Sequence, residues 1–231
     1  MKWGQYFTSA IGKKLVMAFT GIFLISFLIV HCTINFCIFV PDQGATFNTF
    51  SHFMGTNWIV HLLEIGLFVG FILHIVQGLM LTAQNKSKRP VKYAVSRRNE
   101  NSRWYSRSMG LLGVLILLFL IIHLGNFWVH TRFAALFGGV GTVQYHGKEM
   151  DALYEQMKLV FSNPAIVIVY LLGVIALGFH LAHGFSSSFR TLGMTSSRYI
   201  PIIRGLGIAF SIIVPLIFAS MPVAMYFGWV S

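Results

Sequence analysis

Long runs of apolar residues, separated by shorter polar or glycine-rich stretches, make up most of this chain of 231 residues. Five of the runs reach or exceed the roughly 20 residues that an α-helix needs to cross a hydrocarbon core about 30 Å thick. The predicted spans cover about residues 14–40, 59–83, 108–130, 163–187 and 202–228. The pattern therefore predicts an all-α membrane protein, with one domain over residues 1–231 and five transmembrane helices packed as a bundle.

Composition supports this prediction, since 56% of the residues are hydrophobic and only 10% are charged. Such values exclude an ordinary soluble domain. The chain contains no G-x-G-x-x-G sequence, P-loop, zinc signature or hydrolase elbow, so the common motifs of soluble enzymes are missing. Between the third and fourth spans we expect an outer loop at residues 131–162, partly helical near KEMDALYEQMKLV.

The net charge of +11 is explained by membrane topology. Fourteen of the 17 Lys and Arg residues precede or open the first span, lie between the second and third, or follow the fourth. Positively charged loops stay in the cytoplasm. We therefore expect a cytoplasmic N-terminus, an outside C-terminus, and a lipid bilayer rather than nucleic acid as the partner.

Four of the five spans carry a histidine well inside their ends, where an ionisable group is costly and marks a candidate functional site. At 1.5 Å per residue, His31 and His123 lie roughly 13 and 10 Å from the outer ends of their spans. His74 and His180 lie at roughly the same depths, about 13 and 10 Å, measured from the inner ends. The depths predict two pairs, His31 with His123 and His74 with His180.

Two depth-matched pairs on four helices suit two b-type haems, because a bis-imidazole haem takes one nitrogen on each face from different helices. The four histidines would then be the axial ligands of two haem irons. The fifth span has no histidine and is predicted to be peripheral to the cofactors. Taken singly, each histidine could instead be a hydrogen-bonded interhelical residue, and a haem-free transporter with a histidine proton relay is a further alternative.

Several segments, in order along the chain, resemble the cytochrome b558 subunit of succinate dehydrogenase. They are FLISFLIVH at His31, ATFNTFSHFM in the first outer loop, LEIGLFVGFILHIVQGLML at His74, LLFLIIH at His123 and GVIALGFHLAHGFSSSFRTLG at His180. The resemblance runs from about Lys13 to the fifth helix. It implies a multi-pass, dihaem anchor of the bacterial inner membrane, found in succinate:menaquinone reductases and related fumarate reductases.

The resemblance also implies partners and a task. Such an anchor binds flavoprotein and iron–sulfur subunits on its cytoplasmic face and passes electrons between them and quinone, with menaquinone favoured. We expect residues 86–107 to contact the iron–sulfur subunit. The alternative is the dihaem cytochrome b of another membrane enzyme, such as a fumarate reductase, formate dehydrogenase, hydrogenase or ferric reductase.

The ligands that the resemblance carries over agree with the depth argument: His31 with His123 for the distal haem, and His74 with His180 for the proximal one. His183 lies one turn after His180 and could in principle replace it. Because the ligand position matches the first histidine of HLAHG, we expect His183 to contact a propionate or form a hydrogen bond.

Further polar residues are candidates for haem propionate contacts. On the inner side these are Lys13, Arg107 and Arg190, each of which could equally be a plain positive-inside anchor. His130, at the outer end of its span, fits an interface or propionate contact better than a ligand position.

Glu64 is the only acidic residue within the five predicted spans. It lies roughly 9 Å inside the outer end of the second span, where an acid is expensive unless it is paired or used. One interpretation is a structural hydrogen bond with His61. The other is a catalytic role, in which quinone binds near the outer haem and Glu64 exchanges protons with it.

Overall fold

The structure, a computed structural model, describes residues 9–87, 103–145 and 147–230. The helices are α1 (Ala10–Phe36, followed by a 3₁₀ turn at Cys37–Phe39), α2 (Ala45–Thr56), α3 (Trp58–Ser87), α4 (Trp104–Arg107), α5 (Met109–Asn126), α6 (Trp128–Arg132), α7 (Ala134–Phe137), α8 (Leu153–Phe161), α9 (Pro164–Thr191) and α10 (Tyr199–Tyr226). Two strands, β1 (Thr142–Tyr145) and β2 (Lys148–Asp151), lie between α7 and α8.

Five helical segments of the described chain are long and apolar enough to cross a membrane. They are Ile11–Phe39, Trp58–Ser87, Met109–Arg132, Pro164–Thr191 and Tyr199–Tyr226. Each coincides with a predicted span to within a few residues, so the prediction of five candidate transmembrane helices is confirmed. Large apolar side chains such as Leu63, Leu118 and Leu172 are exposed along them, as expected of surfaces that contact lipid.

The chain divides into two compact units. The first, which we call the His74 unit, comprises the described parts of Met1–Phe27, Gly66–Leu115 and Ala176–Ile212. The second, the His31 unit, comprises Leu28–Ile65, Ile116–Ile175 and the described part of Ile213–Ser231. Each unit takes a segment from the helices that carry its histidine pair.

The loop between the third and fourth spans differs from the prediction. The sequence predicts a partly helical segment near KEMDALYEQMKLV, and its second half does form α8. Its first four residues instead form β2, which pairs antiparallel with β1 so that Val143 lies opposite Met150. Each strand has only four residues, too few for the hydrophobic pattern to distinguish a strand from a helix. The structure is 81% helical, so the prediction of an all-α membrane protein is confirmed despite this short hairpin.

A buried contact joins α2 to the start of α8 within the His31 unit. Asn48 is fully buried, and its Oδ1 accepts a hydrogen bond of 2.9 Å from the backbone N–H of Tyr154. Gly44, just before α2, has a φ of +83°, and a Cβ there would lie 2.2 Å from Cγ of Tyr154. Glycine is thus required twice at this position, for its backbone conformation and for the close approach of the tyrosine ring.

Candidate functional site

His31 on α1 and His123 on α5 come together in the His31 unit. Their ring centroids are 5.7 Å apart and the ring planes are nearly perpendicular, at 88°. The two residues are 92 positions apart in the sequence, so the packing of α1 against α5 alone creates this pair.

His74 on α3 and His180 on α9 form a second pair, in the His74 unit. Their ring centroids are 6.1 Å apart, with an angle of 63° between the planes. Both sequence-predicted histidine pairs are therefore brought together, each by two different helices and each within one unit.

The spacing of each pair fits an iron atom between the rings. A metal–imidazole nitrogen bond is about 2 Å long and the ring centre lies about 1 Å further out, so two rings on opposite sides of one metal have centres about 6 Å apart. Among the described residues, no group of three or more His, Cys, Asp or Glu could hold a bare metal ion. Two imidazoles per site is the donor set of a bis-histidine haem, in which the porphyrin supplies the other ligands.

Aromatic side chains fix the ring of His123. Phe119, one turn earlier on α5, stacks against it at 28° with 5.7 Å between centroids, and Tyr170 on α9 meets it edge-on at 5.9 Å. Phe119 fits because residue 173 is a glycine: a Cβ there would lie 2.4 Å from Cγ of Phe119. Asn126 Nδ2 donates a hydrogen bond of 2.9 Å to the hydroxyl of Tyr170.

The fifth span contributes to the environment of His31. The ring of Phe218, on α10, lies 5.5 Å from that of His31 at an angle of 40°. The prediction that this span is peripheral is therefore wrong for the His31 pair. That prediction rests on the absence of a histidine from the span, but a phenylalanine can pack against a ligand histidine without being a ligand itself.

The second ring nitrogens of the histidines differ in their surroundings. Nδ1 of His74 lies 3.1 Å from Oγ1 of Thr20 on α1. In the described part of the chain, the buried Nδ1 atoms of His123 and His180 have no hydrogen-bond partner. The sequence does not single out Thr20, because a threonine in a membrane helix is a common packing residue and its contact with His74 depends on helix rotation.

His183 has a partner of its own. Its Nδ1 lies 2.8 Å from the hydroxyl of Ser106, at the end of α4, and its ring is not part of the His74–His180 pair. Of the predicted inner propionate cations, Lys13 is buried, with 8% of its surface exposed, whereas Arg107 and Arg190 are exposed. All five residues belong to the His74 unit.

His130 is held by the loop that follows it. Its Nδ1–H donates a hydrogen bond of 2.7 Å to the carbonyl of Gly138, which fixes the chain around α7. This contact fits the predicted interface position of His130, and the structure does not bring its ring into the His31–His123 pair.

Glu64 is paired with residues of the third span. Arg132 Nη2 lies 2.8 Å from Glu64 Oε2, and Trp128 Nε1 donates a hydrogen bond to Oε1. The alternative partner, His61, instead lies 2.6 Å from the carbonyl oxygen of Gly55. The predicted hydrogen bond between His61 and Glu64 is thus wrong. A usable signal was present, because Arg132 is the one cation at the outer end of the third predicted span.

The predicted docking segment at residues 86–107 falls largely outside the described residues, as residues 88–102 are not among them. His146, in the predicted outer loop at residues 131–162, also lies outside them.

The described chain thus has the features of a helical membrane protein with two intramembrane histidine pairs. Over 178 residues it is 29% identical to the succinate dehydrogenase cytochrome b558 subunit of Bacillus subtilis (strain 168), which covers 76% of this chain and 74% of that protein. The resemblance drawn from the sequence segments is confirmed by this similarity. No family model matches the chain, and no solved structure matches it.

Proposed function

We propose that this chain is the membrane-anchor cytochrome b subunit of a succinate:quinone oxidoreductase. In this function it passes electrons between an iron–sulfur subunit on the cytoplasmic face and quinone in the membrane. Two haem b groups are the cofactors, held by His74 with His180 near the cytoplasmic face and by His31 with His123 near the outer face. The N-terminus is cytoplasmic and the C-terminus lies outside.

The observation that carries the proposal is that two histidine pairs form, with 5.7 Å between ring centroids in the His31–His123 pair and 6.1 Å in the His74–His180 pair. A proton-relay transporter has no need of histidine pairs with the spacing of axial ligands. The similarity to a succinate dehydrogenase cytochrome b558 subunit adds support from 76% of the chain.

Each bound haem would supply one-electron chemistry, and the protein sets where and how easily it occurs. The histidines would hold each iron at the depth of their pair, and the apolar and aromatic side chains around them would exclude water. Phe119, Tyr170 and Phe218 serve this purpose around the His31 pair. Low polarity and the hydrogen bonding of the ligands then govern the reduction potentials.

A haem count on the purified chain, followed by single alanine variants of the four histidines, tests the proposal. We expect two b haems in the unchanged protein. His74→Ala and His180→Ala should each remove the same haem, whereas His31→Ala and His123→Ala should each remove the other. Redox-titrated spectra distinguish the two haems.

His52→Ala is the matched control, since His52 lies on the short helix α2 outside the five candidate spans, and it should keep both haems. Absence of haem from the unchanged protein would contradict the proposal and favour the transporter. If His183→Ala loses a haem that His180→Ala retains, the ligand within HLAHG is His183.

Co-purification separates a succinate dehydrogenase anchor from the other dihaem membrane enzymes. We expect the chain expressed in its own membrane to bring with it a flavoprotein that oxidises succinate, together with an iron–sulfur subunit. Crosslinks should join that iron–sulfur subunit to residues 86–107. Crosslinks confined to residues 131–162 would contradict both the docking surface and the orientation.

We further propose that quinone, with menaquinone favoured, binds near the outer haem and that Glu64 exchanges protons with it. Reduction of a quinone takes up two protons with two electrons, and Glu64 is the only carboxylic acid within the five candidate spans. Its contacts with Arg132 and Trp128 hold the carboxylate at one defined place in the His31 unit.

A further inference from the structure

The side chain of Thr20 contacts both its own helix and His74. Its Oγ1 lies 2.7 Å from the backbone carbonyl oxygen of Val16, one turn earlier on α1. The same atom lies 3.1 Å from Nδ1 of His74 on α3. Thr20 and His74 both belong to the His74 unit.

One hydrogen must serve two contacts. A threonine hydroxyl has one hydrogen to donate and two lone pairs that accept. The carbonyl oxygen of Val16 can only accept, and at 2.7 Å it is the shorter contact. With the hydroxyl hydrogen placed there, Oγ1 accepts towards His74, and Nδ1 is the ring nitrogen that carries a hydrogen.

A neutral imidazole with its hydrogen on Nδ1 has its lone pair on Nε2. This is the form in which a histidine can bind a metal through Nε2. The hydrogen bond also restricts rotation of the ring about its bond to Cβ, because Nδ1 must stay within reach of Thr20.

The neighbouring residue permits the contact. Gly21 follows Thr20 on α1, and a Cβ at this position would lie 2.9 Å from Oγ of Ser188 on α9 and 3.8 Å from Cε1 of His74. A larger residue would thus displace the hydroxyl of Ser188 and press against the ring of His74. The opposite member of the pair, His180, has no corresponding acceptor among the described residues.

We propose that Thr20 is a positioning residue for the inner haem: it accepts the Nδ1 hydrogen of His74, orients the ring with Nε2 towards the iron, and makes His74 a stronger electron donor. Hydrogen-bonded partners of metal-ligating histidines act in this way in other metal sites. A stronger donor favours the oxidised iron, so Thr20 lowers the reduction potential of this haem. The inference rests on the proposed function, because it requires a haem at the His74–His180 pair.

Thr20→Val tests it, since valine keeps the shape of threonine and removes the acceptor. We expect the inner haem to titrate at a more positive potential. We also expect this haem to be lost about 10- to 100-fold more readily to a haem acceptor, which is the usual loss of affinity when the hydrogen-bond partner of a ligand histidine is removed. The haem at the His31 pair should be unchanged. Thr20→Ser keeps the hydroxyl and should restore the potential, and Thr20→Ala replaces the valine variant if that variant does not accumulate.

Thr33→Val is the matched control. Thr33 lies on the same helix, donates to the carbonyl of Ile29 at 2.9 Å and is exposed, so its variant should leave the inner haem unchanged. Three results would each overturn the inference and leave the proposed function intact. They are an unchanged reduction potential of the inner haem in Thr20→Val, an equal shift of that potential in Thr20→Ser, or the same shift in Thr33→Val. Absence of haem from the unchanged protein would overturn both.

Discussion

Arg132 forms an ion pair with Glu64, with 2.8 Å between Nη2 and Oε2. The two side chains come from the ends of different candidate spans and are only 31% and 24% exposed. The guanidinium also donates to the carbonyl of Gly55 at 3.2 Å. An acid within a span is thereby given a partner, which makes its presence there tolerable.

Glu64→Gln should sharply reduce quinone turnover, because an amide can fill the site but cannot take up and release protons as a carboxylate does. Both haems should remain, and succinate oxidation by a soluble dye should continue. The measurement compares dye and quinone as electron acceptors in the same purified complex.

Arg132→Met is the control for the ion pair, since it breaks the pair and leaves the carboxylate. We expect it to keep more quinone turnover than Glu64→Gln. Equal losses in the two variants would make the ion pair a structural contact and remove Glu64 from the proton chemistry. Normal turnover in Glu64→Gln would have the same consequence.

Gly173→Ala should weaken haem binding at the His31–His123 pair. The new methyl group would lie 2.4 Å from Cγ of Phe119, and Phe119 must then leave its place against the ring of His123. Overpacking of this kind costs about 1–3 kcal/mol of stability. Haem-resolved redox spectra and thermal unfolding measure the two effects.

Gly66→Ala provides the comparison, because a Cβ at Gly66 on α3 would meet nothing within 4 Å. That variant should keep both haems and unfold at the normal temperature. If Gly173→Ala depletes both haems equally, the role assigned to Phe119 in the His31 unit is wrong.

Asn48→Ala should loosen the contact between α2 and α8. It removes the acceptor of the buried Tyr154 N–H, and an unsatisfied buried donor costs about 1–3 kcal/mol. Thermal unfolding should shift downwards, and limited proteolysis at residues 131–162 should speed up. The neighbouring variant Thr49→Ala, which loses only an exposed bond to Ala45 within α2, should behave nearly like the unchanged protein.

Tyr154→Phe should increase stability at alkaline pH. Burial raises the pKa of the Tyr154 hydroxyl, and the nearby charges of Glu155, Asp42 and Tyr145 raise it further. The folded state therefore holds this proton more tightly than the unfolded state. That contribution is fully present below the ordinary pKa of about 10 and is lost as the pH rises through the raised value.

Phenylalanine cannot ionise. When thermal unfolding is measured between about pH 7 and 11, the unfolding temperature of the variant should rise relative to that of the unchanged protein above about pH 10. Near neutral pH the change should be neutral or slightly stabilising, because the buried hydroxyl has no hydrogen-bond partner among the described residues. Parallel stability curves for the unchanged protein and Tyr154→Phe would contradict the prediction.

The five candidate spans and the two histidine pairs follow from the sequence alone. Span length is a local property, because every backbone polar group in lipid must be bonded within its own helix. Depth along a helix is also local, since it needs only a count of residues from each span end. His31 could therefore be matched with His123, and His74 with His180, before any packing was considered.

Other features depended on helix rotation and on chain segments that meet only in three dimensions. Glu64 pairs with Arg132 rather than His61 because α3 packs against the end of the third span at Glu64. The contacts of Thr20 with His74, and of Phe218 with His31, depend on which face each helix turns towards its neighbours. The hydrophobic pattern of a membrane helix does not specify that face, because lipid accepts apolar side chains on every side.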